Sequence, residues 1–257
     1  MPQIIRFVIF AFILSSGFCG TQPAFAGRTI RVLFLGNSLT YVNDLPGMIA
    51  DLAKSRHLNI VHEMYAPGGY RLEQHAADAQ ALAKIKQGDW DFVVLQEQSQ
   101  MPALLPAEVS TFVMPAARKL RELIRQANPR TRVLFYMTMA KKNGDPQFAA
   151  EHPYMKTYAG MQQRINNTYL LIAKHNNARV APVGMAWERA RANDPSIELY
   201  ADETHPNLAG TYLAACVFYA ALNQDTPIGL PHPPGINDQT AAFLQKMALE
   251  TIEANAS

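Results

Sequence analysis

The chain has 257 residues, 49% of them hydrophobic and 17% charged, with a formal net charge of +2. With no low-complexity tract and no repeat of fixed period, that composition excludes the disordered, collagen-like and solenoid classes and predicts a single domain with a sizeable core. Basic residues are scattered and do not interleave with aromatics, which argues against nucleic acid as a partner.

The first 26 residues read separately from the rest. Arg6 precedes the apolar run "FVIFAFIL", followed by Ser15-Ser16-Gly17 and an Ala24-Phe25-Ala26 ending. A basic start, a brief apolar core and an A-x-A site describe a secretory signal peptide. The run is shorter than the roughly 20 residues a bilayer span needs. Cleavage after Ala26 is expected, leaving 27–257 as one exported domain, periplasmic or secreted, with no integral membrane segment. Cys19 does not fit a lipid attachment site, because Phe18 stands where a small residue belongs. Cys216 is then the only cysteine left, so no internal disulfide is expected. Its apolar surroundings in "AACVFYAAL" predict a small buried hydrophobe rather than a reactive thiol.

From residue 29 onward two patterns alternate. Strands are predicted at 29–35, 59–65, 91–95, 131–139 and 179–183, and helices at 45–57, 72–86, 106–127, 154–176, 207–223 and 238–255. The strands are nearly continuous apolar runs, "RVLFL", "DFVVL" and "RVLFYM", as a parallel sheet covered on both faces requires. The fold class predicted is α/β, a three-layer α/β/α sandwich around a central parallel sheet of about five strands. Ligands of such open sheets bind beyond the carboxyl ends of the strands. The turns to read are therefore "GNSLT", "APGGY", "QEQSQ" and the loop before Asn207.

Ser38 follows the first strand in "GNSLT", where Gly36 permits a tight exit. A serine in a turn is usually a turn former, and as a nucleophile it needs a base that is itself oriented. "YADETHPNLAG" offers that pair. Asp202 and His205, three apart, can share one side of the chain, so that one imidazole nitrogen meets the carboxylate and the other faces a serine. Taken alone, the stretch is better explained by Asp202 as a turn cap and His205 as a surface residue. "APGGY" adds exposed glycine amides and "LQEQSQ" adds Gln96 and Gln98, donors that could face a developing oxyanion. Arg71, Glu73 and His75 in "GGYRLEQH" either line the same site or form the first turn of a solvent-facing helix. The polar loop 141–153 is long enough to cover a site, and His152 in it either reaches substrate or lies on the surface.

In these blocks the chain resembles the SGNH hydrolases, the GDSL-type esterase superfamily, from about Arg31 to Asn207 and in the family's order. The resemblance implies a flavodoxin-like sandwich and a serine esterase that uses no metal or cofactor. It implies Ser38 as nucleophile, His205 as base and Asp202 as its orienting group. It further implies an oxyanion hole of the Ser38 and Gly69 backbone N–H groups and an amide side chain. Two departures stand out. The serine block reads Gly-Asn-Ser instead of Gly-Asp-Ser, and "QEQS" replaces the family's Gly-x-Asn-Asp, making Gln96 the first candidate for the side-chain donor and Gln98 the second. "GIND" at 235–238 imitates the missing block but follows His205, so Asn237 is expected to cap the last helix. No G-x-S-x-G occurs, which separates the chain from α/β-hydrolases.

Two other readings stay open. One is a catalytically weak binding or polysaccharide-assembly protein on the same fold, favoured by the missing asparagine. The other, a metal-dependent hydrolase, is poorly served, since "HEMY" at His62 is not H-E-x-x-H and no ligand cluster has the needed spacing. The expected substrate is a small or saccharide-borne carboxylic ester, an O-acetyl group foremost.

Overall fold

Five strands form one sheet in the order β2-β1-β3-β4-β5, every neighbouring pair parallel. The structure, a computed structural model, describes residues 29–255. The expected signal peptide and Cys19 lie outside the described residues. The strands are β1 (Thr29–Leu35), β2 (Asn59–Tyr65), β3 (Phe92–Leu95), β4 (Arg132–Tyr136) and β5 (Arg179–Ala181). Because side chains alternate across a strand, each apolar run feeds two cores. Ile30, Val32, Phe34, Phe92, Val94, Leu134 and Tyr136 face one layer, while Leu33, Leu35, Val93, Leu95, Val133 and Phe135 face the other.

The helices, in chain order, are α1 (Ser38–Tyr41), α2 (Leu45–Lys54), α3 (Leu72–His75), α4 (Ala79–Lys86), α5 (Pro106–Phe112), α6 (Met114–Ala127), α7 (Tyr158–Asn176), α8 (Val183–Asn193), α9 (Leu208–Asn223) and α10 (Asp238–Ala254). α2, α8, α9 and α10 supply the first layer and α3 to α7 the second. α9 is buried almost all round, as its uniformly apolar sequence requires. Cys216 sits at its centre, and burial pushes its thiol up to about 12. Among the described residues no helix is long and apolar enough to cross a membrane.

Several boundaries differ from expectation for local reasons. The helix predicted at 72–86 is two helices, because Asp78 accepts the Gln80 and Ala81 N–H groups at 2.7 and 3.1 Å and starts a new N-terminus. The one predicted at 106–127 divides at Val113, where Pro115 has no N–H with which to continue the ladder. Residues 153–156 form a 3-10 turn, and α7 begins only after Thr157, whose hydroxyl caps Gly160 N–H at 3.1 Å. α8 was not anticipated.

Candidate active site

The chain leaves the sheet in opposite directions from β1 and β3, so the crevice between their carboxyl ends is the switch point of this sheet. Gly36 turns the chain there. A Cβ on it would lie 2.2 Å from Thr40 Oγ1 and 2.6 Å from Gln96 Oε1, so only glycine leaves those two atoms their hydrogen bond. Asn37 then caps the single turn of α1. Its Oδ1 accepts Leu39 N–H at 3.1 Å and its Nδ2 donates to Tyr70 O at 3.0 Å, stapling this turn to the one after β2. An ionised aspartate could accept but not donate, which gives Gly-Asn-Ser a physical reason here.

Ser38 opens α1, and its Oγ lies 3.0 Å from His205 Nε2, although 167 residues separate them. His205 Nδ1 lies 2.8 Å from Asp202 Oδ2. The other carboxylate oxygen of Asp202 accepts the backbone N–H groups of Thr204 at 2.6 Å and His205 at 2.7 Å. The His205 N–H is the largest influence holding the Asp202 carboxyl down, to about 2. Asp202 is thus ionised at any ordinary pH and fixes the imidazole with Nδ1 protonated and Nε2 free to accept from the serine hydroxyl.

The Asp202–His205 loop is closed by Ala201 N–H to His205 O at 2.9 Å. Behind it Asn207 caps α9 through Gly210 N–H at 2.9 Å. The loop after β4 buttresses it: Lys142 N–H donates to Glu203 O at 2.9 Å, and Asn143 Nδ2 donates to the Glu203 carboxylate at 2.9 and 3.2 Å. The remainder of 141–153 folds inward on an ion pair of Lys141 with the buried Asp145 at 2.8 Å. His152 does not lie on the surface. It is buried, stacked on Phe148 and 3.6 Å from Glu108.

The expected donors divide. Among the described residues no hydrogen bond occupies the backbone N–H of Ser38 or of Gly69. Gly69 has φ +71, and no atom lies within 4 Å of where a Cβ would stand, so the space above it is open. Gln96 is a correction. It is fully buried, its Oε1 accepts Asn37 N–H at 2.8 Å and the Thr40 hydroxyl at 3.0 Å, and its Nε2 donates to Glu97 O at 2.6 Å. Its amide helps hold the turn that bears Ser38 and, being fully buried, presents no donor to the crevice. Gln98 is half-buried, and its side chain pairs with that of Gln100.

Asn43 and Glu97 escaped sequence reasoning, and His75 was named in it without its partner. His75 is fully buried, not solvent-facing, and its Nε2 lies 2.8 Å from Gly36 O, at the root of the turn that bears Ser38, while Arg71 and Glu73 are exposed. Burial lowers the His75 pKa, keeping the ring neutral. Asn43, left-handed at φ +54, sends Nδ2 to Pro206 O at 3.2 Å and Thr211 Oγ1 at 2.9 Å, tying the exit of α1 to the residue after His205. Glu97, 1% exposed, accepts two backbone N–H groups. Only Asn43 carried a signal, since Asn-Asp before a helix tolerates left-handed backbone. Asn237 caps α10 through Thr240 N–H at 2.8 Å. Among the described residues no three His, Cys, Asp or Glu side chains gather as a metal-holding group.

No protein-family model and no curated protein matches the chain. Solved structures do. A DUF4886 family protein from Bacteroides uniformis superposes with a TM-score of 0.74 at 20% identity, covering 89% of this chain and 96% of that one. A candidate SGNH hydrolase from Slackia heliotrinireducens gives 0.62 at 29% identity, over 76% of this chain and 100% of its own. A variant of an acetyl-xylooligosaccharide esterase from Geobacillus gives 0.51 at 16% identity, over 76% and 93%. The five-stranded parallel sandwich and these neighbours together place the chain in the SGNH hydrolase superfamily.

Proposed function

We propose that the protein is an exported serine esterase that cleaves carboxylic esters, O-acetyl groups on saccharides foremost, through Ser38, His205 and Asp202. One observation carries the reading: a serine hydroxyl 3.0 Å from an imidazole nitrogen whose partner nitrogen is 2.8 Å from a carboxylate. That arrangement lets His205 Nε2 take the hydroxyl proton as Ser38 Oγ attacks the ester carbonyl, while Asp202 balances the imidazolium. The oxyanion would meet the free N–H groups of Ser38 and Gly69, with the Gln98 amide, not that of Gln96, as the side-chain donor. His205 then protonates the departing alcohol, and water, activated by the same imidazole, releases the acid from the acyl-serine.

The acetyl-saccharide preference rests on a shared fold with an acetyl-xylooligosaccharide esterase and on the polar turns around the crevice. Export rests on the leader composition alone. The reading is tested with a chromogenic acetate ester. Wild type is expected to give a burst of one alcohol per chain followed by turnover, and Ser38→Ala neither. Equal rates in the two proteins would overturn the esterase reading and favour a binding or polysaccharide-assembly role, to which the commitment of Gln96 lends its one structural argument. A panel of acetylated sugars and longer acyl esters then ranks the substrates.

A further inference from the structure

Glu97 follows Gln96 at the end of β3, with its carboxylate inside the protein. A single atom, Oε1, accepts the N–H of Leu72 at 3.1 Å and the N–H of Gln98 at 2.7 Å. Leu72 opens α3, three residues after Gly69, and Gln98 carries the side-chain donor assigned above. The residue is itself anchored, since its own N–H donates to Tyr169 Oη on α7 at 3.1 Å. The charged and titratable groups around it are Arg71 and Glu73 beside α3 and Tyr169 on α7. Burial raises its carboxyl to about 7, against the two backbone N–H groups that hold it down. A carboxyl group kept in so unfavourable a place is poorly explained as filler, because an apolar side chain would pack there without burying an ionisable group. What such a side chain could not do is satisfy two N–H groups from different loops.

We propose that Glu97 is a positioning residue for acyl transfer: one buried oxygen, shared between the loop after β2 and the loop after β3, sets the spacing of Gly69 and Gln98 around the oxyanion. This rests on the esterase reading and extends it. Glu97 is not part of the Ser38-His205-Asp202 chain, so it acts through the groups it holds. An oxyanion hole built from two loops works only if the loops keep their separation as charge develops. An acceptor common to both gives that separation a single determinant.

The test compares Glu97→Met, which removes the acceptor at similar volume, with Glu97→Gln, which retains Oε1. Each is measured for kcat, KM, the rate of inactivation by a fluorophosphonate, and thermal midpoint. Glu97→Met is expected to lower kcat and fluorophosphonate reactivity together, by roughly 30- to 100-fold, with KM within about threefold. Glu97→Gln is expected to stay within about fivefold of wild type. A Glu97→Met protein that loses only thermal stability, or a Glu97→Gln protein as impaired as Glu97→Met, overturns the assignment. Should Glu97→Met fail to fold, Glu97→Gln decides through Gln98→Ala: its residual deficit should vanish in that background, and an equal deficit in both overturns the proposal. Wild type inert toward both ester and fluorophosphonate would instead remove the esterase reading and this one with it. Active wild type with Glu97→Met unchanged in kcat removes this one alone.

Discussion

The two halves of the site are built differently. On the side of the proposed nucleophile Asn37, His75, Gln96 and Glu97 are all buried, and each takes a hydrogen bond across to a different strand-end loop or to the turn itself. On the side of the proposed base the Asp202 and His205 side chains are 57% and 34% exposed, and most of their hydrogen bonds are made within their own loop. The difference follows from what each half is asked to do under the proposed mechanism. Donors that meet a developing charge gain from being fixed and shielded beforehand. An imidazole that passes a proton to a departing alcohol, and then takes one from water, has to stand where both can reach it.

Substitutions should separate the halves. The largest effect is expected at His205→Ala, which should lower kcat by about 10⁴-fold or more. Its exposed position predicts a thermal midpoint within roughly 2 °C of wild type, measured by circular dichroism; a large drop would mean that the base side also carries the fold. Next is the pH response of the buried half. Folded Glu97 keeps its proton up to about pH 7, whereas the unfolded chain releases it near the ordinary glutamate value of about 4.3. Unfolding therefore sheds a proton in between, and the stability linked to Glu97 is full below that window and lost as pH rises through it. Glu97→Gln abolishes this dependence, so its stability relative to wild type should improve by about 2–3 kcal/mol from about pH 5 to about pH 8, read from urea midpoints. A constant difference would show that Glu97 does not titrate in that range. Asp202, held to about 2, has the opposite sense, with stability present at ordinary pH and lost only in strong acid. The smallest effect is expected at Gln96→Leu, which strands the Asn37 N–H and the Thr40 hydroxyl and should cost about 2 kcal/mol of stability. Unlike His205→Ala, it should lower stability and activity together.

Much of this was legible before any coordinates. Continuous apolar strands indicated a doubly covered sheet, and the rule that ligands gather at strand ends directed attention to Ser38, Gly69 and Asp202-His205. In the structure those turns do converge. Local signals that refine the helices were present as well: Asp78 and Pro115 mark real breaks, and Val183, Ala186, Trp187 and Ala190 repeat at helical spacing along α8, all buried. What sequence could not supply was partnership. Gln96 was chosen as the oxyanion donor because its amide suits that task. The same amide suits the Asn37 turn, and only the packing of β1 beside β3 decides between them. The places of His75 and Glu97 were not legible because their partners, Gly36 O and Leu72 N–H, are backbone atoms with no side-chain signature.

Asn43 carries a consequence for how such a chain can change. Its side chain spans 163 residues of sequence to hold Pro206 O, and Thr211 Oγ1 beyond it, so the helix turn bearing the serine and the start of α9 are clamped to one another directly. The alignment of hydroxyl and imidazole is thereby uncoupled from the length of the polypeptide running between them. Surface loops in that stretch are free to grow, shrink or acquire new binding surfaces while Ser38 Oγ and His205 Nε2 keep their register.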